Sequence, residues 1–231
     1  MLLQRQALTE FDKGCKITVL CAGGERMQQE TTRDKLLESA SREFLTSGYQ
    51  KASLRTICRN AGVTTGALYF FFKDKSALFD ALVKDAAEAI MQMLTRHTCY
   101  EEEVYSNTVE LMDMEHDIRF AQELISFYYA HETAVELLFN CAWGSAYQGF
   151  IDQITDYLVK RNTKIISGMV KDDDTVFNAC TLHWLSQIQV EAFLHILSHH
   201  YAQEQALHQI RIVVTFLRGG FEGLYQQAVK N

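Results

Sequence analysis

The chain has 231 residues, 48% of them hydrophobic, with 22 Lys/Arg against 29 Asp/Glu and a formal charge of −7. This is enough apolar material for one small domain and one larger one, while no apolar run reaches the 18 or so residues that a membrane-spanning helix requires. Six cysteines, at 15, 21, 58, 99, 141 and 180, form no CxxC pair and no regular spacing. They read as reduced residues of a cytoplasmic protein, which argues against a disulfide framework or a zinc site.

There is no proline, where average usage near 5% would give roughly a dozen. Its absence fits an all-α chain of successive helices with short connections. Residues 1–26 differ from the rest: they sustain no helical period, and the Gly23-Gly24-Glu25-Arg26 flank does not suit a signal peptide. Ala22 to Arg26, before Met27, also reads as the translation of a purine-rich ribosome-binding sequence such as GGAGGUGA. The segment is therefore expected to be a mis-annotated, unstructured extension ahead of a start at Met27. The rival is a minor-groove arm, with Arg5, Lys13, Lys16 and Arg26 scattered along it.

From Thr32 to Phe79 the pattern is dense. Thr31 and Thr32 suit an N-cap, and Thr31 with Asp34 makes a capping pair. Leu36, Leu37, Ala40, Phe44 and Leu45 then make one apolar stripe, and Gly48 supplies a stop. Ser53 caps a second short helix with Leu54 and Ile57 inward, Gly62 serves a tight turn that needs positive φ, and Thr64 caps a third helix, Thr65 to about Phe71. A fourth helix starts at Lys73 to Ser76 and carries Leu78, Phe79, Leu82, Val83, Ala86 and Ile90 on one face. Two short helices joined by a glycine turn are the layout of a helix-turn-helix module, which lays its later helix in the DNA major groove. Thr65, Gly66 and Ala67 occupy the exposed start of that helix. Gly66 and Ala67 suit backbone approach or thymine-methyl contact more than hydrogen bonding. Lys75, at the start of the fourth helix, suits a phosphate.

Charge follows the same division. Residues 27–84 carry nine Lys/Arg and six Asp/Glu; residues 85–231 carry nine and twenty. A polyanion is repelled by the second part and tolerated by the first, and +3 is modest enough that two modules are needed for useful affinity.

Later segments are helical without a catalytic motif. Glu101 to Asn107 reads as a polar connection or helix start, and Asp117 to Tyr129 presents Ile118, Ala121, Leu124, Ile125 and Tyr128. His131 to Phe139 runs into a Gly-bearing break at 140–146. A further helix, from Phe150 to Ile166, ends near Gly168 and Asp172 to Asp174. Residues 175–199 and 202–227 form two long helices, apolar on more than one face. His195 and His199, with His200 and Glu191 nearby, have the i,i+4 spacing of a metal pair, but there is no HExxH, and histidines at a helix end suit the dipole. A metal-dependent enzyme is the second function class, and a protein-interaction adaptor on a helix-turn-helix fold is the third. No cofactor is expected.

The segment TRDKLLESASREFLTSGYQKASLRTICRNAGVTTGALYFFFKDKSALF resembles the N-terminal domain of the TetR family of bacterial one-component regulators. That resemblance implies a helix-turn-helix DNA-binding domain at 27–75 and a helical effector-binding and dimerisation domain at 76–231. It places Arg55 toward the groove and the Tyr69 hydroxyl on a phosphate; with Ser53, Thr64, Thr65, Gly66, Ala67 and Lys75 these are the expected DNA contacts. Phe70, Phe71 and Phe72 depart from the family pattern, which commonly has a His or Tyr in this trio. The resemblance further implies a homodimer through 175–199 and 202–227, a palindromic operator, repression, and release by a small molecule. Met91, Met93, Phe120, Phe127, Tyr128, Trp143, Tyr147 and Trp184 are the candidate pocket residues, pointing to an apolar, planar or cationic ligand.

Overall fold

The computed structural model describes residues 22–105, 114–170 and 176–230. Over these the chain forms α1 (Ala22–Lys51), α2 (Leu54–Ala61), α3 (Thr65–Phe71), α4 (Lys75–Tyr105), α5 (Met114–Ala130), α6 (Glu132–Asn140), α7 (Phe150–Ser167), α8 (Ala179–Ser198) and α9 (Gln203–Lys230), with no strand among the described residues.

Four helices make the N-terminal head. Leu36, Ala40 and Phe44 of α1, Ile57 of α2, Leu68 of α3 and Leu78, Phe79 and Val83 of α4 are its fully buried side chains. Phe44 meets the Phe79 ring edge-on at 5.0 Å, and Tyr49 closes the aromatic cluster against both. Ser39 is buried in the head and donates its hydroxyl to Ile57 O at 2.8 Å, so this polar group is satisfied. The remaining helices form a larger bundle in which α9 runs along α5, α7 along α8, and α6 is wedged between α1 and α4.

Several boundaries differ from the sequence expectation. Helix α1 runs through Thr31 and Thr32, which are interior residues and not caps. Nothing between Gly24 and Ser47 breaks a helix, and threonine costs only a few tenths of a kcal/mol inside one. Ala22 to Arg26 are helical as well, so this part of the supposed extension is structured; residues 1–21 lie outside the described residues. Leu45 is exposed and sits off the buried stripe. Glu101 to Tyr105 close α4 and do not start a new helix, and the rest of that expected connection, residues 106–107, is outside the described residues, as are Asp172 to Asp174. Helix α8 starts at Ala179, where Asn178 accepts from Cys180 N and Thr181 N at 3.0 Å, not at residue 175.

Gly48 breaks α1 with φ 69° and ψ 162°, a conformation beyond the left-handed helical well and open essentially to glycine alone. The turn it makes lets Tyr49 N donate to Cys141 O at 2.8 Å, joining the head to the end of α6. Gly48→Ala is therefore expected to lower stability by about 1–3 kcal/mol in urea unfolding. Gly66→Ala, with ordinary helical backbone and only Thr64 Oγ1 at 3.8 Å from the added carbon, should instead be neutral or raise stability by up to about 1 kcal/mol.

Candidate nucleic-acid interface and ligand cavity

The head presents α3 outward on a short, fixed turn. Gly62 has φ 68° and ψ 30°, and its N–H donates to Arg59 O while Val63 N donates to Cys58 O. Both flanking caps form as the sequence requires: Ser53 Oγ accepts from Thr56 N at 3.4 Å, and Thr64 Oγ1 accepts from Ala67 N at 3.1 Å. Ser53 is further tied by its own N–H to Glu43 Oε1 at 3.0 Å. These two side chains thus already serve the local backbone.

The solvent-facing surface consists of Arg55 on α2 with Thr65, Gly66, Tyr69 and Phe70 on α3, while Ala67 is half-buried. Tyr69 is 58% exposed. The three phenylalanines divide: Phe72 is buried beneath the Arg33 guanidinium, Phe71 is half-buried, and Phe70 is 70% exposed. Helical spacing carried this signal, since Phe72 lies four residues after buried Leu68 and shares its face.

Lys75 is placed differently from the simple phosphate role. Its ammonium donates to Gln50 O at 3.0 Å and Ala52 O at 3.2 Å and lies 4.8 Å from the centre of the Tyr49 ring. It therefore satisfies carbonyls at the end of α1, and Asp74 Oδ1 accepts from Ala77 N at the start of α4. A lysine beyond a helix stop can serve either solvent or carbonyls, and only the packed turn decides which.

The larger bundle holds a partly open cavity of about 210 Å³ bordered by α4 to α9. Its wall is mostly branched aliphatic and phenylalanine side chains, among them Ile90, Leu124, Ile151, Leu158, Phe193 and Val214. Of the expected pocket residues, Phe120, Phe127 and Tyr128 line it. Met91 and Tyr147 instead border a separate cleft beside Lys84 and Glu88, where the Tyr147 hydroxyl donates to Asp80. Burial and that bond to a carboxylate push the Tyr147 hydroxyl pKa up. Met93 is buried in the core and lines neither space. Trp143 and Trp184 are 70% and 56% exposed and line neither space, which removes them from the pocket. Aliphatic side chains fill most of such a wall, so aromatic and sulfur-bearing residues alone do not mark it in the sequence.

One end of the cavity is polar, and sequence reading missed it. Asp117 of α5 is buried, with His97 Nε2 of α4 3.4 Å from one carboxylate oxygen and Arg218 Nε of α9 donating to the other. Burial alone would push the Asp117 carboxyl up. The hydrogen bonds from His97 and Arg218, with the attraction of the guanidinium, outweigh it and hold the pKa at about 2. Arg161, Asn162 and Gln189 also line the cavity, and Asn162 donates to Ser186 Oγ at 2.9 Å. Among the described residues no group of three or more His, Cys, Asp or Glu is placed to hold a metal ion. His199 Nδ1 lies 2.8 Å from His195 O, at the end of α8. No described helix is long and apolar enough to cross a membrane, and the four described cysteines are free.

Residues 36–82 match the family described as bacterial regulatory proteins, tetR family. The chain is 42% identical over 57 residues to the HTH-type transcriptional regulator AcrR of Shigella flexneri, a stretch covering 25% of this chain and 26% of AcrR. It is 40% identical over 52 residues to the HTH-type transcriptional repressor BepR of Brucella suis, covering 22% and 25%. The chain thus spans about a quarter of the length of these two relatives. A TetR-like transcriptional regulator from Rhodococcus sp. RHA1 superposes with a TM-score of 0.56 over 83% of this chain and 96% of that one, at 16% identity. That likeness establishes the fold: an N-terminal helix-turn-helix domain followed by a helical domain.

The pKa of Asp117 fixes a pH dependence. A carboxyl held below its ordinary value stabilises the fold above the usual aspartate range, and the contribution is lost as pH falls from about 4 through about 2. Wild type should exceed Asp117→Asn by on the order of 2 kcal/mol at pH 6. Urea titrations should show that gap closing between pH 4 and pH 2; a pH-independent gap would refute the assignment.

Proposed function

We propose that this chain, a member of the TetR family by its N-terminal module, is a DNA-binding transcriptional regulator that represses from a palindromic operator as a homodimer in the cytoplasm. The observation that carries the reading is the outward presentation of α3 beside Arg55, with no acidic side chain on α3 itself. Arg55 and the Tyr69 hydroxyl are assigned to the DNA backbone and groove, with Thr65, Gly66 and Ala67 against base edges. Ser53 and Thr64 support the interface through their caps, and Lys75 supports it by fastening the turn before α2.

A second copy is assigned to the outer faces of α8 and α9. Trp184 and Ile212 are exposed there, and Phe216, one turn beyond Ile212, is 77% exposed. Gly219, Gly220 and Gly223 continue the same stretch of α9 with nothing within 4 Å of where a Cβ would stand, which suits close helix approach. Two-fold pairing then sets the α3 helices about one DNA turn apart, 34–36 Å in such modules.

The effector enters the apolar cavity and favours an arrangement unsuited to DNA, acting through α4. The cavity lining carries Arg218, paired with Asp117, and a second guanidinium, Arg161, which weighs against the cationic ligand that the overall acidity invited.

Two measurements test the reading. Fragments recovered from the host genome should share a palindrome, and Arg55→Ala with Tyr69→Ala should weaken binding to it by about 100-fold or more, with a shallower salt dependence and unchanged helicity. Phe216→Glu should sediment as a monomer and lose operator binding with it; a dimer that survives this change would move the interface elsewhere.

A further inference from the structure

Helix α3 is poorly equipped for hydrogen-bonded base recognition. It contains no Arg, Lys, Asn or Gln, the side chains that pair two-pronged with purine edges. Of its two hydroxyl-bearing residues, Tyr69 is assigned to a phosphate, which leaves Thr65. The Thr64 hydroxyl just before it is engaged with Ala67 N–H.

What α3 does offer is an apolar projection. Phe70 is 70% exposed, and the Phe71 ring meets it edge-on at 5.0 Å and 89°. Gly66 stands one turn earlier with no side chain, so a base edge can approach along that column. A helical side chain leans toward the preceding turn, so the Phe70 side chain is directed toward the Gly66 end of α3, where only Thr64 Oγ1 stands within 4 Å of the space a Cβ would take. Lone exposed apolar residues are common on protein surfaces; this one lies on the face assigned to the major groove. Among base-pair edges there, only thymine presents an apolar group, its C5 methyl.

We propose that Phe70 is a specificity-determining residue that reads a thymine in each half-site by packing its ring on the C5 methyl group. The proposal rests on the DNA-binding reading above and adds the chemistry by which one position is recognised.

The test uses full-length protein and duplexes enriched from a randomised library, re-synthesised with deoxyuridine in place of each thymine in turn. Deoxyuridine pairs as thymine does and lacks only the methyl. At one thymine per half-site the swap should weaken wild-type binding about fourfold, and about 15-fold when made in both half-sites. Phe70→Ala should bind the thymine and deoxyuridine duplexes alike. Phe70→Gln, similar in length but polar at its tip, should do the same and guards against loss of fold, checked by circular dichroism. Wild-type indifference to every swap overturns the proposal, as does full discrimination retained by either folded variant. If no duplex is enriched at all, the DNA-binding reading itself falls, an outcome distinct from indifference to the methyl.

Discussion

The continuity of α4 is the constraint on which the rest depends. Its first turns place Leu78, Phe79 and Val83 in the head core, and its later turns bring Ile90, Leu94 and His97 to the cavity wall. At 31 residues it spans about 46 Å as one helix, and the proline-free sequence gives it no hinge of that kind. A displacement at the cavity is therefore delivered at Phe79, whose ring is packed against Phe44 and Tyr49. The head cannot follow α4 alone, because Tyr49 N is bonded to Cys141 O and Asp80 to Tyr147. Any movement must carry or break those ties, which makes two discrete arrangements more natural than a continuum.

Asp117 acts on the same helix from the other end. It draws together α4 through His97, α5 through its own backbone and α9 through Arg218. Removing one partner of a buried ion cluster is costly, whereas replacing the whole cluster by apolar groups is often neutral or stabilising, so what the cluster adds beyond an apolar core is specificity of arrangement. Here it fixes how α4, which begins in the N-terminal head, meets α9 at the border of the cavity. An apolar wall joined to a small polar cluster is the kind of lining that small-molecule sites carry.

The head was legible in the sequence because its determinants are local. Ser53 and Thr64 had to be caps, Gly62 had to turn, and Leu36, Ala40 and Phe44 had to face one way; the structure has all of these. The start of α1 was not legible, since a capping pattern at Thr31 loses to an unbroken helical run before it. The cavity was half legible: Phe120, Phe127 and Tyr128 lie on one face of α5, but Trp143 and Trp184 are excluded by which faces α8 and the 140–149 turn leave outside. His97, Asp117 and Arg218 come from three helices, and nothing in their spacing along the chain announces that they meet. Lys75 shows the same limit, since its carbonyl partners lie 23 and 25 residues away.

The smallness of Gly66 and Ala67 has a bearing on how such a protein diversifies. Neither supports the head core through a bulky side chain, and Gly66 has ordinary backbone geometry with open space beside it. Exchanges at position 66 alter the outward face of α3 while leaving the scaffold's stability nearly untouched, in contrast to Leu68 on the opposite side of the same seven-residue helix or Phe72 at its C-cap. For a head that reads DNA as proposed, a duplicate gene would reach a new target site by one or two codon changes, without first acquiring compensating mutations elsewhere.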